Sequence, residues 1–143
     1  MDEKMLQDVL DALRLEKSDN QYYEVKSAHG GMPHSVRETI SAFANTPGGG
    51  ILILGADEAR SFAAVGVYNP KQCQQTLANY AKNEFSVLID LRTKLMTIDN
   101  KPVVWAEIGE ADKTLKPVRV KSSGKAYIRY YDGDFELSEQ EAQ

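Results

Sequence analysis

The sequence predicts an α+β fold, a mixed β-sheet of about five to six strands packed with two to three helices. Three observations carry this reading. Apolar residues recur at helical spacing in only a few windows, while short β-branched and aromatic runs fill much of the rest. Helix and strand signals do not alternate regularly, and two of the β-rich runs are joined by a hairpin turn, so the sheet is not purely parallel. One apolar run, Ile51 to Leu54, has no polar face at all, as expected for a strand covered on both sides.

The elements follow in order. Met5, Leu6, Val9, Leu10 and Leu13 fall at helical spacing between charges, predicting an amphipathic helix over 2–15. Ser18-Asp19-Asn20 breaks it with turn formers. Residues 21–27 (QYYEVKS) read as a strand with Tyr22, Glu24 and Lys26 on one face and Tyr23 and Val25 on the other. Ser35 and Glu38 have capping-box spacing, and Val36, Ile40, Phe43 and Ala44 form an apolar stripe, so a helix is expected over 35–45. Thr46-Pro47 and the three glycines 48–50 stop it. Strand 51–54 then delivers Asp57 just beyond its end.

Phe62 to Val67 is expected to return as a strand. Asn69-Pro70 supplies a cap and first-turn proline for a helix lined inside by Cys73, Leu77, Tyr80 and Ala81. Runs 87–98 and 102–108 form a hairpin about Asp99-Asn100-Lys101, with Trp105 in the core. Two further strands are expected at 117–121 and 126–131. Ser138 and Glu141 repeat the capping-box spacing close to the end of the sequence. This predicts that the 143 residues are one domain forming the front part of a longer protein.

Composition narrows the function classes. No apolar run is long enough for a bilayer and no basic-then-apolar leader is present, so a cytoplasmic setting without membrane contact is expected. The single cysteine, Cys73, excludes an internal disulfide and a multi-cysteine zinc site. His29 and His34 have no third ligand at zinc spacing. The net charge of −4 argues against a nonspecific nucleic-acid coat, but the charge is unevenly placed. Residues 1–24 hold seven acids against three bases, whereas 113–131 hold six bases and no acid.

Three constellations could carry chemistry. The glycine turn does not fit a phosphate loop, because it follows a helix, precedes a strand and lacks a following lysine; a tight connection is the better reading. The acids Asp19, Glu24 and Asp57 converge if their strands are neighbours, and such a set could hold Mg²⁺ or Mn²⁺ and activate water against a phosphodiester. The opposing reading pairs Glu24 with Lys26 or Arg37 and leaves Asp57 in a turn. Finally, Tyr127, Arg129 and Tyr131 share one face of the last strand, Arg119 and Lys121 share a face of the preceding one, and Lys116 and Lys125 stand at the ends. Cations for phosphates and tyrosines for stacking are the materials of a nucleic-acid surface, to which Lys26 could add; a solvated sheet face with edge lysines is the alternative.

Three blocks, YEVKSA around Glu24, TISAFANTPGGGILILGAD from Thr39 to Asp57, and KPVRVKSSGKAYIRYYDG from Lys116 to Gly133, together resemble the Schlafen AlbA-like DNA-binding domain family, in the same order and over most of the chain. The resemblance implies an α+β domain at the front of bacterial transcriptional regulators, some described as divergent ATP-binding proteins. It also implies nucleic acid, DNA or RNA, as a partner, with downstream domains of the same protein and a homodimer as further partners. In the animal Schlafen members a similar fold cleaves RNA with three acids, which would correspond here to Asp19, Glu24 and Asp57. The first of these is aspartate where that pattern has glutamate, and the nuclease members duplicate a domain present once here. The expectation is therefore a DNA-binding module that needs no cofactor. A metal-dependent endoribonuclease using Mg²⁺ or Mn²⁺ and a dimerisation module are the alternatives.

Overall fold

The computed structural model describes the backbone of residues 2–142 and the side chains of 2–141. At its centre is a four-stranded mixed sheet in the order β1 (Tyr23–Lys26), β2 (Gly50–Leu54), β6 (Lys101–Ile108), β5 (Leu91–Ile98). Strands β1 and β2 are parallel, with Glu24 beside Leu52 and Lys26 beside Leu54. The remaining pairings are antiparallel. Two small two-stranded sheets lie outside it: β3 (Ala56–Asp57) with β4 (Ala63–Ala64), and β7 (Tyr127–Tyr130) with β8 (Gly133–Glu136). The expected α+β mixture is present, but its strands are divided among three sheets rather than gathered in one.

Helices cover the central sheet from both sides, which explains the unbroken apolar run at 51–54. On one face α1 (Glu3–Glu16) lays Leu6, Leu10 and Leu13 against Val25, Ile53, Met96, Val103 and Trp105. Asp2 caps this helix, its carboxylate accepting from Met5 N at 2.8 Å. On the other face α2 (Val36–Ala44) and α3 (Pro70–Asn83) pack Val36, Ile40, Phe43, Cys73 and Leu77 over Leu52, Leu54, Val104 and Ala106. Asn69 caps α3 through Gln72 N at 3.1 Å, with Pro70 in the first turn as the sequence requires. The short α4 (Glu139–Ala142) follows a reciprocal capping box between Ser138 and Glu141. No helix among the described residues is long and apolar enough to cross a membrane.

Several local expectations are corrected. Ser35 makes no capping bond; its hydroxyl instead accepts from Lys26 Nζ at 2.9 Å, tying β1 to the start of α2. Residues 117–121 are no ladder strand and form only isolated bridges, Phe85 to Val120 and Arg119 to Ala126. The strand expected at 62–67 shrinks to Ala63–Ala64. Strand β8 is an element that the sequence reading missed; it follows a two-residue turn at Tyr131-Asp132, with Tyr131 at φ +51°.

The glycine turn is a packing device. Gly49 has φ +68°, and a Cβ there would collide with the carbonyl oxygen of Ile108. A Cβ at Gly50 would enter the ring of Phe43. Close approach of backbone to β6 and α2 therefore explains two of the three glycines.

Candidate functional site

The polar residues of α2 and its C-terminal turn organise the functional face. Ser41 and Asn45 are buried, and their side chains bond to main-chain atoms. They hold the segment at Val118 and the edge of β7 that is not paired with β8. Ser41 Oγ donates to Val118 O at 2.9 Å and accepts from Tyr127 N at 3.1 Å. Asn45 Nδ2 donates to Val118 O at 3.0 Å and Tyr127 O at 2.9 Å, while Asn45 Oδ1 accepts from Val118 N at 2.7 Å. Thr46 Oγ1 accepts from Arg129 N at 3.1 Å. A helix side thus acts as the neighbouring strand for 118 and 127–129, meeting the demand that buried backbone groups be paired.

Between those fastened ends the chain makes a tight excursion at 119–125. Val120 N donates to Lys125 O at 2.8 Å, and Gly124, at φ +71°, turns the chain back. The other side of the turn is held by the exit of α3, through Lys121 N to Glu84 O and Ser86 N to Arg119 O, both 2.9 Å. Arg119, Lys121 and Lys125 are exposed here. The Arg119 guanidinium donates to Gly124 O at 3.0 Å and stays at the surface. Lys125 lies 3.4 Å from Glu136, and Lys116 pairs with Glu110 at 2.6 Å. Of the residues expected to contact nucleic acid, Lys116, Arg119, Lys121 and Lys125 thus fall along one stretch. Tyr131 stands apart at the tip of the β7–β8 hairpin and is 82% exposed.

The other three are placed differently. Tyr127 and Arg129 do share a face of β7, but that face points inward. Tyr127 is buried, with its hydroxyl 3.5 Å from Glu38 Oε1, and burial pushes its phenol up. The Arg129 side chain has no exposure. Lys26 is half-buried against Ser35. Tyr127 and Arg129 thus belong to the interior of the site, whereas Lys26 is held by Ser35 but only partly covered.

Arg129 occupies a cage of oxygens. Its Nη1 donates to Glu24 Oε1 and to Asp134 Oδ1, each at 2.8 Å. Nε and Nη2 reach Asn20 O at 3.1 and 2.9 Å, and Nη2 also reaches Tyr23 O at 3.1 Å. Thr39 Oγ1 steadies the far oxygen of Asp134 at 2.7 Å. Asp19 adjoins this group, accepting from Val25 N at 3.1 Å and sharing a hydrogen bond with Glu24. Burial, followed by that bond and the charge of Glu24, pushes the Asp19 carboxyl up to about 9. It stays protonated at neutral pH. Burial pushes Glu24 the same way, but the hydrogen bond from Asp19, the charge of Lys26 and the Arg129 guanidinium leave it below the ordinary carboxylate value.

Asp57 is not part of this group. It caps a 3₁₀ turn through Ala59 N at 3.0 Å and lies 3.8 Å from Arg60, in a small cleft shared with Ser27, His29 and Lys101. Gly55, at φ +112°, separates it from β2 and breaks the alternation of that strand. No group of three or more His, Cys, Asp or Glu among the described residues is arranged to hold a metal ion. With Asp19 protonated, Glu24 paired to a guanidinium and Asp57 elsewhere, these three acids do not fit a divalent cation. Asp134 and Thr39 are the members of the ionic centre that sequence reasoning missed. Arg129 and Asp134 are directly paired across the β7–β8 hairpin, whose two turn residues are Tyr131 and Asp132.

Comparison with known proteins agrees with this architecture. A family profile described as Schlafen, AlbA_2 matches residues 19–138. The solution structure of the N-terminal domain of a protein from Nitrosomonas europaea, described as related to the ATP-dependent DNA helicase RecG, is 29% identical. It superposes with a TM-score of 0.73 over 92% of this chain and 90% of that one. A crystal structure of a Corynebacterium diphtheriae protein shares the fold at 19% identity and a TM-score of 0.59, covering 82% of this chain and 25% of that one. No curated protein matches the chain.

Proposed function

Because the chain belongs to the Schlafen AlbA_2 family, we propose that it is a nucleic-acid-binding module, the DNA-binding front domain of a transcriptional regulator. The observation that carries the reading is the cationic turn at 119–125, exposed to solvent and fastened at both ends. Arg119, Lys121 and Lys125 meet phosphates, Lys116 supports them from the approach to the turn, and Tyr131 offers a ring for stacking. The relationship of the Nitrosomonas europaea domain to a DNA helicase points the same way. The endoribonuclease reading draws no support from the position of Asp57, which lies apart from the hydrogen-bonded pair Asp19 and Glu24.

Fluorescence anisotropy with a labelled DNA duplex and with a transfer RNA, at increasing salt, tests the proposal. Three phosphate contacts give a logarithmic salt slope of about −2.7, so a fourfold rise in salt weakens duplex binding about fortyfold. Joint charge reversal, Arg119→Glu with Lys121→Glu, abolishes binding without unfolding an exposed turn. Absence of salt-sensitive binding to either nucleic acid would refute the reading, and preference for the RNA would replace DNA as the target.

A further inference from the structure

We propose that the acidic centre of this domain is a cation site whose cation is the chain's own Arg129, delivered by the β7–β8 hairpin, so that Glu24 and Asp134 do not exchange with free divalent ions. The argument begins with ligand type. Every hydrogen-bond acceptor of the guanidinium is an oxygen: one from Glu24, one from Asp134, and the backbone carbonyls of Asn20 and Tyr23, while the Phe43 ring lies against it at 5.3 Å. Two carboxylates and two carbonyls gathered around one group are the oxygen types that a hard cation takes. The geometry nevertheless suits a planar fork, since each guanidinium nitrogen is engaged at 2.8–3.1 Å.

The site is closed by construction. The Arg129 side chain is fully covered, and Glu24 and Asp134 retain only 12% and 9% exposure. Thr46 holds the Arg129 backbone and Thr39 holds Asp134, so the plug is fixed at the main chain and at its counter-ion. Asp19 protonation keeps a third negative charge away from two carboxylates that share one guanidinium, with Lys26 as the further cation beside Glu24. Arg129 is therefore a positioning residue, replacing an exchangeable ion by a covalently attached one.

Titration of Mn²⁺ into the wild-type domain and into Arg129→Gln tests this, read by the electron paramagnetic resonance of free Mn²⁺ and by thermal unfolding. The wild type takes up no Mn²⁺ at a defined site and its melting temperature does not move. Arg129→Gln is destabilised in plain buffer and binds Mn²⁺, regaining roughly 5–10 °C at a hundredfold excess over Kd. Adding Glu24→Gln to that variant removes the gain. If Arg129→Gln does not fold alone, refolding with Mn²⁺ present restores it. Saturable Mn²⁺ uptake by the wild type that Glu24→Gln abolishes would overturn the proposal. So would an Arg129→Gln variant that neither binds Mn²⁺ when folded nor is rescued by it when unfolded.

Discussion

Asn45→Ala removes the side chain on which the functional face depends most. Three hydrogen bonds disappear, to Val118 O, Tyr127 O and Val118 N, at 3.0, 2.9 and 2.7 Å. Each is worth about 1 kcal/mol net, and the buried Val118 N–H left without an acceptor adds about 1–2 kcal/mol more. The expected loss is roughly 4 kcal/mol, a large share of the 5–15 kcal/mol that stabilises an ordinary domain. Urea unfolding followed by Trp105 fluorescence measures it, with an unchanged m-value confirming that the native state is otherwise intact. Anisotropy on the same samples should show weaker DNA binding, because both ends of the cationic turn are released together. Asn45→Asp keeps the acceptor for Val118 N but loses both donors, and it places a charge in the core. It should be no better than alanine. A loss below about 1 kcal/mol for Asn45→Ala would refute the idea that α2 serves as a strand for these segments.

Two further outcomes follow from the same geometry. Asp19, with its carboxyl raised to about 9, binds a proton in the folded state that the unfolded chain releases near pH 4. Its contribution is therefore full below about pH 4 and declines as pH rises towards 9, by at most about 1.4 kcal/mol per unit. Glu24, held low, acts oppositely in acid and loses stability as pH falls through its folded value. Asp19→Asn retains the oxygen for Val25 N and a donor for Glu24, so it should flatten the decline and exceed the wild type in stability at pH 8. Parallel pH profiles from denaturant melts would contradict this. Gly49→Ala combines positive φ with a collision against Ile108 O and should cost roughly 2–4 kcal/mol, whereas Gly48→Ala, with open space around its Cβ, should cost about 1 kcal/mol. Equal melting temperatures for the two variants would contradict the close-approach explanation.

Much of the frame was legible because its signals are local. The apolar spacings of α1 and α3, the Asn69-Pro70 start of α3, the buried run at 51–54 and the hairpin joining β5 to β6 need no knowledge of distant contacts. The site was harder for a physical reason. Period-two alternation groups Tyr127 with Arg129 correctly, but it does not say which face meets protein, and an arginine is ordinarily assigned to solvent. Only the convergence of Glu24, Asp134 and two carbonyls makes the inner face hospitable, and those come from positions up to 109 residues away in sequence. Ser41 and Asn45 were similarly invisible. On a helix they read as the polar side opposite Val36, Ile40 and Phe43, yet α2 is buried nearly all round. Asp57 followed the end of β2 as expected, and the twist at Gly55 sent it elsewhere.

The use of helix side chains as a substitute strand has a consequence for how this surface can diversify. In a regular ladder every added residue shifts register and turns the whole strand over. Here the two arms are gripped at a few main-chain atoms by Ser41, Asn45 and Thr46, and the span between them carries no ladder to preserve. Residues 122–124, between the main-chain bonds of Lys121 and Lys125, can lengthen, shorten or change charge while the grips stay in place. The domain is thus built as a clasp with an interchangeable tip, in which the anchored arms set the position of the tip and the tip's own residues set its charge.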